Sequence, residues 1–220
     1  MNESLAREEI CRVGQSLFAR GYVHGTAGNI SMRLDDGGLL ITPTDACLGW
    51  LDPAQLARLD ADGRQTGGLP ASKTAALHTR IHRAAGGFDP GTRCVIHTHS
   101  THCVALSLRA AGEELLPALT PYFVMKVGRV PVIPYHRPGA PEAAEAVARA
   151  IERYGRAGRP LRAVMLARLG PNVWQASPAA AMAVLEELEE TARLALLAPG
   201  TVPLDEPQIE ELRQRFGARW

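Results

Sequence analysis

The sequence predicts a single α/β domain in which helices cover both faces of a central mixed sheet. Apolar patterns typical of strands and of helices alternate irregularly along the chain, as expected for such a layered domain. Its 220 residues are enough to bury the core of one large domain. No internal repeat or low-complexity linker divides the sequence into smaller units.

The composition of the chain gives no indication of a nucleic-acid-binding, membrane-spanning or secreted protein. The formal net charge of +1 gives no basic field, so nucleic acid is not an expected partner. No apolar run reaches the ~18 residues of a membrane-spanning helix. Residues 1–4 lack the hydrophobic core of a signal peptide, and the 4 cysteines form no Cys-x-x-Cys pair. We therefore expect a cytoplasmic protein whose cysteines are small buried side chains.

The beginning of the chain predicts one helix and one strand. Apolar residues from Leu5 to Leu17 recur at near-helical spacing, and Gly21 is a plausible helix stop. A segment rich in glycine, 24–31, follows this helix. Residues 38–41 then predict a strand that ends in a polar turn at 42–45.

The middle of the chain alternates helices with short strands. Ser72 has the side chain of a helix N-cap and predicts a helix through about Ala85. The apolar run 94–96 predicts a short buried strand, and a helix is expected over 100–108. Two prolines restrict 130–134 to a short strand at a sheet edge or beside a site.

The next segment predicts a helix and a strand pair. Pro141 is well suited to the first turn of a helix, and the apolar residues that follow as far as Tyr154 form a stripe at helical spacing. Residues 163–167 and 172–176 predict two strands joined by a turn at Gly170–Pro171.

The last part of the chain is predicted to be helical. Ser177 begins a long helix through Leu197, and we expect its glutamates between 186 and 190 on a solvated face. One more short helix is expected over 206–216. We therefore predict a domain over 1–200 and a tail over 201–220 that packs on the domain or on a neighbouring subunit.

The pair His97-Thr98-His99 is the strongest indication of chemistry. Side chains alternate along a strand, so His97 and His99 should project from one face at the end of the strand. Imidazole nitrogens in this arrangement can bind a divalent metal, which in a catalytic site usually takes a third protein ligand. The alternative is a pair of hydrogen-bonded histidines at a strand end.

Four motifs follow one another in an order that resembles the class II aldolase/adducin family. They are Gly-Thr-Ala-Gly-Asn-Ile-Ser at 25–31, Ile-Thr-Pro-Thr at 41–44, a Ser-capped helix that contains His78, and His-Thr-His-Ser at 97–100. The resemblance covers residues 5–200. It is nearest to the branch that contains the 3-oxo-tetronate 4-phosphate decarboxylases and the fuculose phosphate aldolases.

This resemblance implies an α/β/α fold with a largely antiparallel mixed sheet and a metal-dependent carbon–carbon lyase activity. The implied substrate is a small phosphorylated sugar or sugar acid, cleaved by aldol cleavage or decarboxylation. The implied cofactor is a divalent metal, zinc first and otherwise manganese, cobalt or iron, which stabilises the negative charge of an enediolate. A homotetramer with sites between subunits is also implied.

The resemblance assigns roles to individual residues. His97 and His99 match two metal ligands of the family. Tyr122 matches a tyrosine that donates a proton in the site of a neighbouring subunit, the alternative being a half-buried interface aromatic. The phosphate-binding residues of the family match Gly28, Asn29, Thr44, Ser72 and Lys73.

These phosphate-binding positions are chemically reasonable. Glycines let backbone N–H groups approach an anion, and a helix N-terminus favours phosphate. The alternative is an ordinary turn followed by an ordinary helix cap. His78 and His102 are expected to be hydrogen-bonded structural histidines.

Two positions depart from the family pattern. Thr74 stands where the family has an acid/base glutamate, and a threonine hydroxyl cannot replace a carboxylate in proton transfer near neutral pH. Leu169 stands where the family has its third metal histidine. Arg168 beside it is expected at the mouth of the site, where it favours an anionic ligand, unless it is a surface arginine.

The departures leave several outcomes open. The site can recruit another ligand, such as His102, His24, Asp45 or substrate oxygens. It can catalyse a different reaction with a looser metal, including one in specialised metabolism. It can also have lost metal and catalysis and bind an anionic metabolite or a protein partner.

Overall fold

The computed structural model describes residues 2–109 and 112–220. Within them, eight strands form one sheet in the order β4-β3-β2-β1-β5-β8-β7-β6. All neighbouring strands are antiparallel except β6 and β7. The strands are β1 (Asn29–Arg33), β2 (Leu39–Ile41), β3 (Ala57–Leu59), β4 (Gln65–Gly67), β5 (Cys94–His97), β6 (Val132–Ile133), β7 (Ala163–Leu166) and β8 (Gly170–Gln175).

Helices cover both faces of the sheet, which confirms the predicted α/β/α fold. Helices α1, α3, α5 and α6 pack on one face, and α2 and α4 pack on the other. The helices are α1 (Glu3–Ala19), α2 (Ala75–Gly86), α3 (Thr101–Ser107), α4 (Pro141–Arg156), α5 (Pro178–Leu197) and α6 (Glu206–Phe216). Met1, where the predicted domain begins, lies outside the described residues.

Strand β5 lies in the middle of the sheet and carries the histidine pair at its end. Cys94 and Ile96 point into the core under α1 and α5, whereas Val95 points into the core under α2 and α4. This alternation places His97 on the same face as Val95. In the sheet register His97 lies between Asn29 of β1 and Asn172 of β8.

The tail beyond residue 200 packs on the main core. An Asp205 capping box starts α6, and Ile209 of that helix is buried. The Trp220 ring lies 5.6 Å from the Phe123 ring, in an edge-on contact. None of the helices in the described part of the chain is long and apolar enough to cross a membrane.

Three local predictions were wrong. Thr74 rather than Ser72 is the N-cap of α2, because the backbone N–H of Ala75 bonds the Ser72 carbonyl in a turn that precedes the helix. Strand β8 already begins at Gly170, because residues 167–169 make the turn and Arg168 adopts a left-handed backbone. The four glutamates of α5 do not share a solvated face, because Glu189 is buried.

Candidate active site

A cleft of about 370 Å³ opens at the end of β5. The glycine-rich loop, the start of α2 and the segment before α4 form its walls. It is lined by residues 26–29, 43–45, 72–74, 76, 77, 97, 99, 137–141, 143, 144, 166 and 169. The structure thus brings together both predicted metal-binding histidines, all the predicted phosphate-binding residues and Thr74.

His97 is held in one tautomer by the backbone. Its Nδ1 lies 3.0 Å from the Pro171 carbonyl oxygen, which only accepts, so Nδ1 carries the proton and Nε2 keeps its lone pair. The rings of His97 and His99 lie 5.1 Å apart in an edge-on arrangement. Burial, and to a lesser extent the neighbouring His99, lowers the pKa of His97 to about 4. His97 is therefore neutral near pH 7, as a base or a metal ligand must be.

His99 is less enclosed than His97. Its pKa is lowered first by burial and then by His24, whose ring lies 6.3 Å away. His24 itself is exposed in the loop after α1 and does not line the cleft.

Gly28 is tightly enclosed in the wall predicted to bind phosphate. Its φ is +86°, and an added Cβ would lie 2.7 Å from Val23 Cγ1 and 3.0 Å from the His97 carbonyl oxygen. Only glycine combines this backbone conformation with so close an approach. The next residue, Asn29, is buried beside His97, and its Oδ1 has no hydrogen-bond partner in the described part of the protein. Such an atom is available to a ligand or a water molecule.

The wall at the start of α2 supplies hydroxyl groups and a cation. Ser72 Oγ lies 2.9 Å from Thr74 Oγ1. Thr44 lies beside this segment, since its backbone N–H bonds the Pro70 carbonyl at 2.9 Å. Lys73 Nζ lies 3.7 Å from Asp45 Oδ2, and both side chains are more than 70% exposed. A surface ion pair of this kind is weak, so an anionic ligand can compete with Asp45 for Lys73.

The donor set does not fit a resident catalytic metal. Leu169 lines the cleft and packs against the core cluster under α2 and α4. Within residues 2–109 and 112–220, no group of three or more His, Cys, Asp or Glu side chains is placed to hold a metal ion. His97 and His99 leave such an ion one ligand short of the usual three.

The other ligands considered from the sequence do not complete the set. His102 Nδ1 bonds Glu189 Oε1 at 2.8 Å on the opposite face of the sheet, and Asp45 faces Lys73. His102 and His78 are hydrogen-bonded, as predicted, since His78 Nδ1 lies 2.8 Å from Ser31 Oγ.

Two predicted site residues lie outside the cleft lining. Arg168 is exposed and its side chain does not line the cleft, as in the alternative that it is a surface arginine. The left-handed turn at Arg168, whose N–H bonds Ser107 Oγ at 3.0 Å, presents Leu169 to the cleft instead. Tyr122 is 58% exposed and does not line the cleft of its own chain.

Sequence reasoning missed two polar residues of this region. Arg137 lines the cleft and supplies the cation expected from Arg168. Asn172 is buried beside His97, and both polar atoms of its side chain have no partner among the described residues. The sequence signals were a cation between prolines at 134–138 and an amide at the start of the apolar pair Val173–Trp174.

Comparisons with known proteins agree with this architecture. The profile of the Class II Aldolase and Adducin N-terminal domain family matches residues 8–196. The 3-oxo-tetronate 4-phosphate decarboxylase of Cupriavidus necator is 50% identical, over 99% of each chain. In fold, the chain is similar to YgbL of Escherichia coli, described as a putative aldolase/epimerase/decarboxylase, with a TM-score of 0.86 at 39% identity over 96% of this chain and 99% of that one. The L-fuculose-1-phosphate aldolase of Thermus thermophilus is less similar, with a TM-score of 0.73 at 27% identity over 93% of this chain and 100% of that one.

Proposed function

The chain belongs to the class II aldolase and adducin family, and we propose that it is a lyase that removes carbon dioxide from a small phosphorylated 3-oxo sugar acid. One observation carries this proposal: a single cleft brings together the residues predicted to bind phosphate and the His97–His99 imidazole pair. The decarboxylase relative at 50% identity over 99% of the chain supports the same reaction class.

The cleft can bind such a substrate by its two charged ends. The phosphate group takes the wall formed by the Gly28 loop and the start of α2, where Lys73 offsets its charge. The carboxylate end extends toward His97 and Arg137. A planar guanidinium suits a carboxylate because it can donate two parallel hydrogen bonds.

Thr74 favours decarboxylation over aldol cleavage. Aldol cleavage starts when a base removes a hydroxyl proton, and in the family pattern this base is the glutamate that Thr74 replaces. Among the described residues the cleft offers one carboxylate, Asp45, which faces Lys73. A 3-oxo acid needs no such base. The bond between C1 and C2 breaks, C1 leaves as carbon dioxide, and the bonding electrons move into the C3 carbonyl to give an enediolate. This species then takes up one proton at C2.

The residues of the chain have defined tasks in this reaction. Nε2 of His97, with its free lone pair, accepts the hydrogen bond of the C2 hydroxyl. Arg137, a cation in the lining of the cleft, stabilises the negative charge that develops on the substrate. We assign no step to a metal, because among the described residues of the cleft only the His97 and His99 imidazoles are placed together as ligands. Metal binding by His97 and His99, with zinc first, stays a prediction that titration tests.

Leu169 and Thr74 also support a second candidate, a protein that binds the same anion without turnover. Incubation with 3-oxo-tetronate 4-phosphate and measurement of carbon dioxide separates the two. The lyase releases one carbon dioxide per substrate, and His97→Ala abolishes the release. A binding protein shows saturable affinity for the substrate and no carbon dioxide.

We also propose that the chain forms a homotetramer in the cytoplasm, with Tyr122 reaching the cleft of a neighbouring subunit. Family membership and the 58% exposure of Tyr122 support this assembly. Light scattering should give four times the chain mass of 23.6 kDa. A monomeric mass would contradict the assembly but not the decarboxylation.

A further inference from the structure

Glu189 of α5 is a buried carboxylate outside the cleft. Only 5% of its surface is exposed, although the pattern of the helix predicts a solvated face there. A carboxylate is kept in such a place only when hydrogen bonds compensate its lost hydration. The hydrogen-bond donors that contact the Glu189 carboxylate therefore indicate its role.

All its hydrogen bonds come from the first turn of α3. Oε1 accepts from the backbone N–H of His102 at 2.9 Å and from His102 Nδ1 at 2.8 Å. Oε2 accepts from the backbone N–H of Cys103 at 3.0 Å. Helix α3 has no cap from its own N-cap residue, since Ser100 Oγ bonds Thr98 Oγ1 at 2.6 Å instead. Glu189 thus caps α3 from another helix.

The histidine segment runs directly into this capped turn, since His99 and Ser100 precede α3. On its other side the segment is fixed by β8. The Pro171 carbonyl accepts from His97 Nδ1 at 3.0 Å and from the Thr98 N–H at 3.3 Å. Residues 97–99 are therefore held between the start of β8 and the start of α3.

We propose that Glu189 is a positioning residue that sets the direction of the His99 imidazole by holding the first turn of α3. His97 is fixed separately through Pro171, so the effect of Glu189 falls mainly on His99. A seven-residue helix such as α3 has little stability of its own and depends on such a contact. The effect on turnover rests on the proposed function, whereas the effect on His99 does not.

The position of Glu189 predicts that its removal affects the His99 imidazole but not anion binding. The phosphate-binding wall belongs to the loop before β1 and to the start of α2, which Glu189 does not touch. Removing the carboxylate should therefore disturb His99 and leave anion binding unchanged. If Glu189 only stabilised the fold, its removal would disturb His99 and weaken anion binding together.

The test compares Glu189→Ala, Glu189→Gln and the control Glu190→Ala. Glu190 is the next residue and is exposed, with Arg193 at 3.7 Å as its ion-pair partner. Histidine ring signals are recorded by ¹H–¹⁵N NMR and assigned with His99→Ala, and the Kd of inorganic phosphate is measured by calorimetry. We expect Glu189→Ala to shift the His99 signals and Glu189→Gln to shift them less, because glutamine keeps an accepting oxygen. Glu190→Ala should leave them in place.

Phosphate Kd should stay within about twofold of wild type in all three proteins. Unshifted His99 signals in a folded Glu189→Ala protein would overturn the proposal, as would a parallel loss of phosphate affinity. If Glu189→Ala does not fold, Glu189→Gln decides, because it keeps the side-chain volume but replaces one accepting oxygen with an NH₂ group. Unshifted His99 signals in that protein would then overturn the proposal.

Turnover gives a second measurement. The His99 ring lines the same cleft and lies 5.1 Å from the His97 ring, which contacts the reacting part of the substrate. With 3-oxo-tetronate 4-phosphate, Glu189→Ala should therefore lower kcat about tenfold and leave KM within about threefold, as for a misdirected group in an intact binding site. An unchanged kcat would contradict a positioning role. If wild type releases no carbon dioxide, the proposed function fails and the NMR signals alone decide the role of Glu189.

Discussion

Leu169 is the residue that most separates this cleft from a metal centre. Its side chain lines the cleft together with His97 and His99, so a histidine at this position would face the same space. The change Leu169→His should therefore raise zinc affinity about 10- to 100-fold, by the scale of changes at metal-site residues. Competition with a chelating dye measures the affinity.

Leu169→Ala is the matched control, because it removes the same side chain without adding a ligand. It should leave zinc affinity near that of wild type. Equal zinc affinity for Leu169→His and wild type would mean that position 169 does not face the imidazole pair in solution.

Gly28 offers a second test at a single residue. Alanine there would place Cβ 2.7 Å from Val23 and 3.0 Å from the His97 carbonyl, which forces the loop away from the anion. Gly28→Ala should weaken phosphate binding by about tenfold or more, which corresponds to about 1.4 kcal/mol. Calorimetric titration with inorganic phosphate measures this loss.

Gly25→Ala is the control that distinguishes the effect of backbone strain in the loop from the effect of the Cβ clash at Gly28. Gly25 also has a positive φ, of +55°, but nothing lies within 4 Å of an added Cβ. Phosphate affinity close to wild type is expected for this control. A comparable loss in both variants would mean that loop strain, rather than close approach at Gly28, controls binding.

The contact between β8 and the histidine segment depends on Gly170. An added Cβ would lie 1.9 Å from the Thr98 carbonyl oxygen, at a φ of +146°. Gly170→Ala should lower the free energy of unfolding by about 3 kcal/mol, from strain and overpacking together. Urea unfolding measures this loss.

Gly158→Ala is the control, since Gly158 has a φ of +75° and open space around it. Backbone strain alone predicts a loss of about 1 kcal/mol there. A loss of that size in Gly170→Ala as well would show that β8 relaxes away from Thr98 at little cost.

The elements differ in how far the sequence predicts them. Helix α6 carries its own signals, an N-cap Asp205 and a stripe at helical spacing, and lies at its predicted bounds of 206–216. Strands β3 and β4 have three residues each, and the Gln65–Gly67 strand is largely exposed, so no apolar pattern marks it. Short strands of this kind form because the neighbouring strand is already in place.

The residues of the site and of its surroundings also differ in how far the sequence predicts them. The motif order predicted that residues far apart in sequence share one cleft, because a family pattern contains tertiary information. The burial of Glu189 was not predictable, since its partners His102 and Cys103 lie more than 80 residues away. The alternation of polar residues in α5 indicates a solvated face, and only tertiary contacts reverse it.

At the scale of the whole molecule, the buried histidines connect stability to pH. Burial, then the Arg33 charge, lowers the pKa of His82 to about 3 from its ordinary value of 6.5, and Ser31 Oγ bonds its Nε2 at 2.9 Å. The unfolded chain therefore binds one more proton than the folded chain between these two pH values. Stability is fully present above pH 6.5 and falls by about 1.4 kcal/mol per pH unit as the pH falls toward 3.

Urea unfolding at several pH values tests this effect. His82→Asn removes the titrating group and should reduce the slope of unfolding free energy against pH by about one proton. His136→Asn, at a partly exposed histidine, is the control and should leave the slope unchanged. An equal slope in wild type and His82→Asn would mean that His82 is protonated in the folded state.

The proposed decarboxylation is the most direct test of the account of the whole molecule. The protein is mixed with 3-oxo-tetronate 4-phosphate, and carbon dioxide and the phosphorylated product are measured in the same sample. We predict one carbon dioxide and one phosphorylated three-carbon product per substrate consumed, and none of either with His97→Ala. Binding of the substrate without release of carbon dioxide would contradict the central claim that this cleft is a decarboxylase site.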